Sequence, residues 1–412
     1  MFTIPGTHRR SSLYYVESIE QVNEPYNEPN RHDRQAIALL QYIPIDIHKW
    51  EMENRDFKWY TTMPVTELRA ETFSEGNYVH LLRNNDFLNG GNDERARRII
   101  DRSEYLFRIA EESIVNNPDF PAINNVSTLY SYHVNVGHGN LSLLVIESNG
   151  MIRLWMIDGS NFDFLNHRNH KKEIEHCLDH IYKKFKLSGN PHIDVLMITH
   201  AHYDHYSGIT SFIRDGLINS HTLVYLNLKK KVHSHNFNNL LEALINHRMR
   251  IVQPFVQNRS TNIDILYPDI STFSSSLKLN NTSSVYSISF DGITYFVFPG
   301  DLETEGWDLM DSRRCRKFMK LPKYYAISHH GSLNGHLRNP KCKFRHTESI
   351  AECLHPYTKT VLMGRNHAFN GIYSECVLND FNGRLYLSEN DNLKNKTEFL
   401  EIDLLSGTET WH

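Results

Sequence analysis

The chain has 412 residues, 40% hydrophobic and 11% aromatic, which is enough for a packed core and about two domains of ~100–200 residues. A formal net charge of −4 excludes a globally basic nucleic-acid coat, so any phosphate-binding surface must be local. The five cysteines (Cys177, Cys315, Cys342, Cys353, Cys376) are odd in number, widely spaced and without a CxxC, which argues for reduced thiols against a disulfide framework or a thiolate zinc site.

The N-terminus, MFTIPGTHRRSSLYYVES, lacks the apolar core of a signal peptide, and no stretch approaches ~18 uninterrupted apolar residues. A cytoplasmic protein without a membrane span is expected. Residues 1–125 are polar and read as a partly helical N-terminal accessory region. It is either a lobe packed on a catalytic core or a segment that binds a protein partner or gates substrate. RHDRQAIALLQYIPIDIHKW suggests a short helix cut off near Pro44. NDERARRIIDRSEYLFRIAEESIVNN is the clearest helix, with Ile99, Ser103, Leu106, Ala110 and Ile114 at helical spacing. Asn92 or Asp93 can cap it, and Pro118 should end it at or before Asn117.

Short apolar runs separated by turns follow. LSLLVI and MIRLWMID flank Ser-Asn-Gly, a hairpin signal, and HRNHKKEIEHCLDHIYKKF carries Ile174, Cys177, Leu178 and Ile181 at helical spacing. IDVLMI (Ile193 to Ile198) reads as a buried strand, and LEALINH as a helix. VYSISF and ITYFVF are joined across Asp291-Gly292, and YYAISHH, TVLMG, GRLYLS and TEFLEIDL continue the strands. Strands with interleaved helices in two halves suggest two sheets face to face with helices outside.

Directly after IDVLMI stands THAHYDHYSG. A tight loop leaving a buried strand can aim His200, His202, Asp204 and His205 at one point, and imidazole with carboxylate suits zinc, manganese or iron. The spacing reads as His200 and His202 on one metal, with Asp204 and His205 turned to a second. FPGDLETEGW places Asp301 after another strand, where a carboxylate could bridge two cations. AISHHGS places His329 and His330 at the end of a third, positioned to complete the second metal.

In chain order, HVNVGHGN, IDGS, THAHYDHYSG, NNTSSV, FPGDLE, SHHGS and the GRN at Arg365 resemble the metallo-β-lactamase superfamily. More closely, they resemble its ComEC-type hydrolase branch, over about residues 130–405. The resemblance implies a four-layer αββα sandwich, α/β in class, over residues 126–412. It makes Asp158 the residue that orients a ligand, since a carboxylate can hold a metal-bound imidazole in one tautomer. Most catalytic members of the superfamily carry a third histidine for the first metal where this chain has Asn281; ComEC-type members tend to have asparagine. An amide oxygen is a weaker ligand, which favours manganese or an exchangeable zinc. Where the branch often has aspartate, this chain has His202, which strengthens the two-metal reading. Of the paired histidines, His330 matches the superfamily's ligand, leaving His329 to contact substrate or act as acid.

Two divalent ions, zinc or manganese, could share a hydroxide and stabilise attacking and leaving oxygens, an arrangement suited to phosphodiesters. Between Ser312 and Thr347 there are ten Lys/Arg and no Asp or Glu, and SHHGS lies inside that stretch. Arg313, Arg314, Arg316 and Lys317 are therefore the expected phosphate contacts, with Lys229, Lys230 and Lys231 a weaker extension. Tyr324 and Tyr325 could stack on a base, although their apolar neighbours favour the core. The expectation is a metal-dependent phosphodiesterase, a nuclease on DNA or RNA. It would use Asp204, Asp301 and His329 in catalysis, one setting being the effector of a bacterial defence assembly. The alternatives are a small-molecule hydrolase acting on a lactone, thioester or cyclic nucleotide, and a subunit inactive without its partner.

Overall fold

The computed structural model describes residues 13–22, 37–44, 60–64, 75–81, 87–89, 91–115, 122–163, 168–189, 192–310, 321–336, 349–364, 375–387 and 397–412. The chain divides into two compact units, one of Met1–Tyr105 with Val232–Asn238, the other of Leu106–Lys231 with Asn239–His412.

The first unit contains five strands, β1 (Leu13–Val22), β2 (Ile37–Pro44), β3 (Tyr60–Pro64), β4 (Tyr78–Leu81) and β5 (Phe87–Asn89), in the antiparallel order β3-β2-β1-β4-β5. The short helix expected before Pro44 is instead β2. Its main chain pairs with β1 on one side and β3 on the other, and long-range pairing overrides the local helical reading. Pro44 sits at the strand's last position, where a missing donor is tolerated. Helix α1 (Glu94–Glu112) starts as expected, with Asp93 Oδ1 accepting the Arg95 amide at 2.8 Å. It ends five residues before Asn117, because Ile114 bridges to Ile251 and Val115 donates its amide to the Ile251 carbonyl at 2.8 Å.

The second unit is mixed α/β, with two large sheets and helices. The first sheet is built from β6 (Val126–Val134), β7 (Ser142–Ser148), β8 (Met151–Ile157), β9 (Val195–Met197), β10 (Leu223–Tyr225), β11 (Arg250–Val252) and two late strands, β18 (Phe399–Asp403) and β19 (Thr408–Trp411). Its order is β11-β10-β9-β8-β7-β6-β18-β19, with β8 to β11 parallel. The second sheet runs β12 (Ile263–Tyr267), β13 (Val285–Phe290), β14 (Ile293–Phe298), β15 (Tyr324–Ala326), β16 (Lys359–Leu362) and β17 (Leu385–Leu387), in chain order and parallel from β14 onward. Both expected hairpins are present. Asn149-Gly150 and Asp291-Gly292 have positive φ at both positions (53° and 74°; 50° and 79°), the backbone a two-residue type I′ turn requires.

Side-chain alternation divides the second sheet's two faces. Phe296, Phe298, Tyr324 and Ala326 join Leu144, Trp155, Val195 and Met197 of the first sheet in one core. Val297 and Tyr325, one residue out of phase, join Trp307, Ile350 and Phe381 in a second cluster on the other face. Burying each such large side chain contributes about 1.5–3 kcal/mol. Tyr324 and Tyr325 are thus core residues, 2% and 1% exposed. On the first sheet, helix α2 (Lys171–Lys184) buries Ile174, Cys177 and Ile181 against β6. Among the described residues no helix is long and apolar enough to cross a membrane.

Candidate metal centre

Adjacent parallel strands end side by side, and in open α/β sheets the crevice outside their carboxyl ends collects ligands. Here β8 delivers Asp158 and β9 delivers Thr199 and His200. In the second sheet β14 delivers Gly300 and Asp301, and β15 delivers His329 and His330. After β9 the chain stays extended through His202 (φ −79°, ψ 147°) and then turns into α3 (Tyr203–Tyr206), which swings Asp204 and His205 back over the strand end. The two loops of the second sheet are tied together: Ser328 Oγ donates to the carbonyls of Gly300 and Leu302 at 3.1 and 2.7 Å, and the His329 amide donates to Gly300 at 3.1 Å.

The result is a buried cluster. Asp204, His205, Asp301 and His330 each offer a ligand atom within 4.8 Å of the others. His330 Nε2 lies 3.1 Å from Asp204 Oδ2 and 3.3 Å from Asp301 Oδ2, and His205 Nε2 lies 3.3 Å from Asp301 Oδ1. His200 Nε2 and His202 Nδ1 are 3.0 Å apart, and His200 Nε2 is 4.0 Å from Asp301 Oδ2. Two ligands at ~2.0–2.1 Å from one tetrahedral ion are themselves roughly 3.3 Å apart, so these ion-pair and hydrogen-bond distances are also compatible with a shared ion. Asp301 lies between the two histidine groups.

Behind the cluster, Asp158 accepts the Thr199 amide on Oδ1 at 2.8 Å and the His205 Nδ1 proton on Oδ2 at 2.8 Å. That bond leaves His205 Nε2 facing Asp301 and Asp204. Asp158 itself takes a left-handed backbone (φ 53°). His329 and His330 do so consecutively (φ 49° and 48°), at about 1–2 kcal/mol each for residues with a Cβ.

The electrostatics follow from burial. Burial alone would raise the Asp204 and Asp301 carboxyls. The imidazoles around them, His205, His330 and His138 for Asp204 and His330 and His205 for Asp301, outweigh it and hold both below the usual carboxylate range. Burial alone would lower His205 and His330, but Asp301, Asp158 and Asp204 lift His205 well up, and Asp301 with Asp204 lifts His330 to about 9. His200 goes the other way: burial, then His205 and His202, keep its ring neutral. Buried carboxylates favour positive charge beside them, which the lifted His205 and His330 rings can carry as protons. The donor chemistry fits a divalent ion of the zinc or manganese kind, whose binding would displace those protons.

Of the residues singled out in the sequence, His200, His202, Asp204, His205, Asp301, His330 and Asp158 meet here. His329 is buried beside the cluster, its Nε2 3.3 Å from Asn280 Nδ2 and its Nδ1 3.7 Å from Glu303 Oε1. The Asn281 side chain has partners of its own. Its Oδ1 accepts the Gly306 amide at 2.9 Å and its Nδ2 donates to Glu305 at 3.0 Å, fastening the first turn of α4 (Thr304–Leu309). Arg313, Arg314, Arg316 and Lys317 lie outside the described residues, as does Arg365.

Three site residues are not apparent as such from the sequence. His138, from the turn between β6 and β7, lies 3.4 Å from Asp204 Oδ2 with its ring centroid 4.4 Å from that of His330. The signal was its setting in Gly-His-Gly, since Gly137 takes φ 67° and a Cβ on Gly139 would fall 2.5 Å from Ser160 Oγ. Asn280 and Glu303 form the hydrogen-bonded pair beside His329, at 2.9 Å. Next to them is a cavity of about 430 Å³ lined by Lys278, Glu303, Glu305, Asp308 and Asn334, among others. Neither a protein-family model nor a curated protein matches the chain.

Proposed function

We propose that the chain is a metal-dependent hydrolase with a dinuclear centre, a phosphodiesterase cutting DNA or RNA, built on the αββα sandwich of the metallo-β-lactamase superfamily in its ComEC-type form. The observation that carries the proposal is the convergence of His200, His202, Asp204, His205, Asp301 and His330 from the ends of strands in both sheets, at ligand-to-ligand spacings. Two zinc or manganese ions would supply Lewis-acid activation of water and neutralise charge developing on the phosphoryl oxygens.

His200 and His202 would hold the first ion, Asp204, His205 and His330 the second, and Asp301 both. Asp158 fixes the His205 ring, and His138 steadies Asp204 from the opposite side. His329, held by Asn280 and Glu303 beside the cluster, would protonate a leaving oxygen. Burial of the cluster keeps bulk water out and strengthens each electrostatic contact. The test is incubation of the purified chain with labelled single-stranded DNA, duplex DNA and RNA in Mn²⁺ and in Zn²⁺, alongside Asp204→Ala. Cleavage lost in the variant supports the proposal. Cleavage that survives in the variant, or no cleavage of any polymer, refutes the nuclease.

One observation favours a second reading, a small-molecule hydrolase. The cavity beside His329 is of ligand size, and Glu303, Glu305 and Asp308 outnumber Lys278 on its walls. That lining suits a compact neutral or cationic ester better than a polyanion. Turnover of a small lactone or thioester without cleavage of polymers would select it.

A further inference from the structure

Away from the centre, a second group of ligand-bearing side chains gathers where α2 lies over β18 and β19. We infer that His180, Glu401 and His412 form a separate binding site for a transition-metal dication of the zinc or copper class, stapling the helix to the sheet.

The three residues come from separate segments: His180 from α2, Glu401 from β18, His412 immediately after β19. Their ligand atoms all lie within 4.8 Å of one another. His180 Nε2 stands 2.7 Å and His412 Nε2 3.6 Å from Glu401 Oε2, either side of the roughly 3.3 Å that two ligands of one tetrahedral ion adopt. The rings are held in place. His412 stacks on Phe399 at 4.7 Å and 18°, and His180 packs on the same ring at 5.4 Å. The backbone at His412 is pinned by bonds between its amide and the Phe399 carbonyl and between its carbonyl and the Glu398 amide. Glu401 is 9% exposed, whereas the imidazoles are 31% and 29% exposed, so an ion can enter from solvent without opening the fold. Two imidazoles and one carboxylate select zinc or copper over magnesium or calcium.

One feature sets the affinity. Lys184 donates to Glu401 Oε1, leaving Oε2 for the ion but placing an ammonium close to it. The ion therefore competes with Lys184 for the carboxylate, and removing that charge strengthens the site. A purely structural His-Glu-Lys network predicts the opposite: Lys184 would matter to stability and not to metal.

The test uses the full chain, stripped with chelator and titrated with Zn²⁺ against a chromophoric indicator. To separate this site from the buried centre, the titration is repeated in a chain carrying Asp204→Ala and Asp301→Ala. We expect one equivalent to remain in that chain, to weaken at least tenfold with His412→Ala, and to tighten several-fold with Lys184→Met. The wild-type chain should lose one equivalent on His412→Ala while the hydrolytic activity proposed above is unchanged. An identical stoichiometry and affinity with and without His412→Ala overturns the inference. So does a Lys184→Met chain that binds no more tightly. Failure of the buried centre to bind or hydrolyse leaves the metal readouts of the Asp204→Ala, Asp301→Ala chain unaffected.

Discussion

His205 Nδ1 donates its proton to Asp158 Oδ2 across 2.8 Å, and the pair is sealed from solvent. The bond fixes which ring nitrogen faces Asp204 and Asp301. Asp158→Asn keeps a carbonyl oxygen for the Thr199 amide but removes the charge that orients the imidazole. Metal affinity should fall about 10–100-fold with the fold preserved. Indicator competition beside far-UV circular dichroism checks it, and unchanged affinity contradicts the orienting role.

His330 is held from behind by glycine. A Cβ on Gly364, which has φ 72°, would fall 2.0 Å from His330 Nδ1, so no side chain fits there. Gly364→Ala should displace the ring, destabilise the chain by about 1–3 kcal/mol and remove one metal equivalent. Thermal melts and metal stoichiometry read both effects. A variant that retains full occupancy would show that His330 is not a ligand.

Beside the cluster, His329→Gln removes the proposed acid while leaving the ligands in place. If the ring protonates a leaving oxygen, kcat should drop by about 10²–10⁴, with metal stoichiometry unchanged. Substrates whose leaving group needs no proton should lose far less. An equal loss on both substrate types would assign His329 to positioning.

His133 offers a pH test independent of metal. Enclosed by Ser131, Ser142, Phe296 and Phe298, it is pushed down by burial to about 3. The unfolded ring protonates near the ordinary value of about 6.5. Between those values the unfolded chain binds a proton that the folded chain refuses. The stability associated with the neutral ring is therefore complete above about 6.5 and lost as pH falls towards 3, by about 1.4 kcal/mol per pH unit. His133→Gln should flatten the acid limb of stability against pH by one proton, a difference readable above the slope both proteins share from the metal ligands. Parallel acid limbs would contradict it.

Several of these features were legible in the chain. The hairpin turns followed from Asn-Gly and Asp-Gly, and the Asp93 cap and the buried face of α2 from local spacing. His200, His202, Asp204 and His205 announced themselves because one loop carries them all. Misreadings arose where distant partners decide. The segment before Pro44 reads as a short helix, yet it becomes a strand because β1 and β3 pair with both its edges. The partners of Asn281, the Gly306 amide and the Glu305 carboxylate of a helix more than twenty residues on, were likewise not legible locally.

The sequence alone determined which residues could bind metal, and the turns that present them, because imidazole and carboxylate chemistry and positive-φ backbone are properties of single residues and their neighbours. Only the tertiary structure decided that His138 approaches Asp204, that Glu303 and Asn280 flank His329, and that His180, Glu401 and His412 meet. These are contacts between segments up to hundreds of residues apart. They are fixed by strand order and register within the sheets and by how the core packs them, quantities that no local pattern encodes.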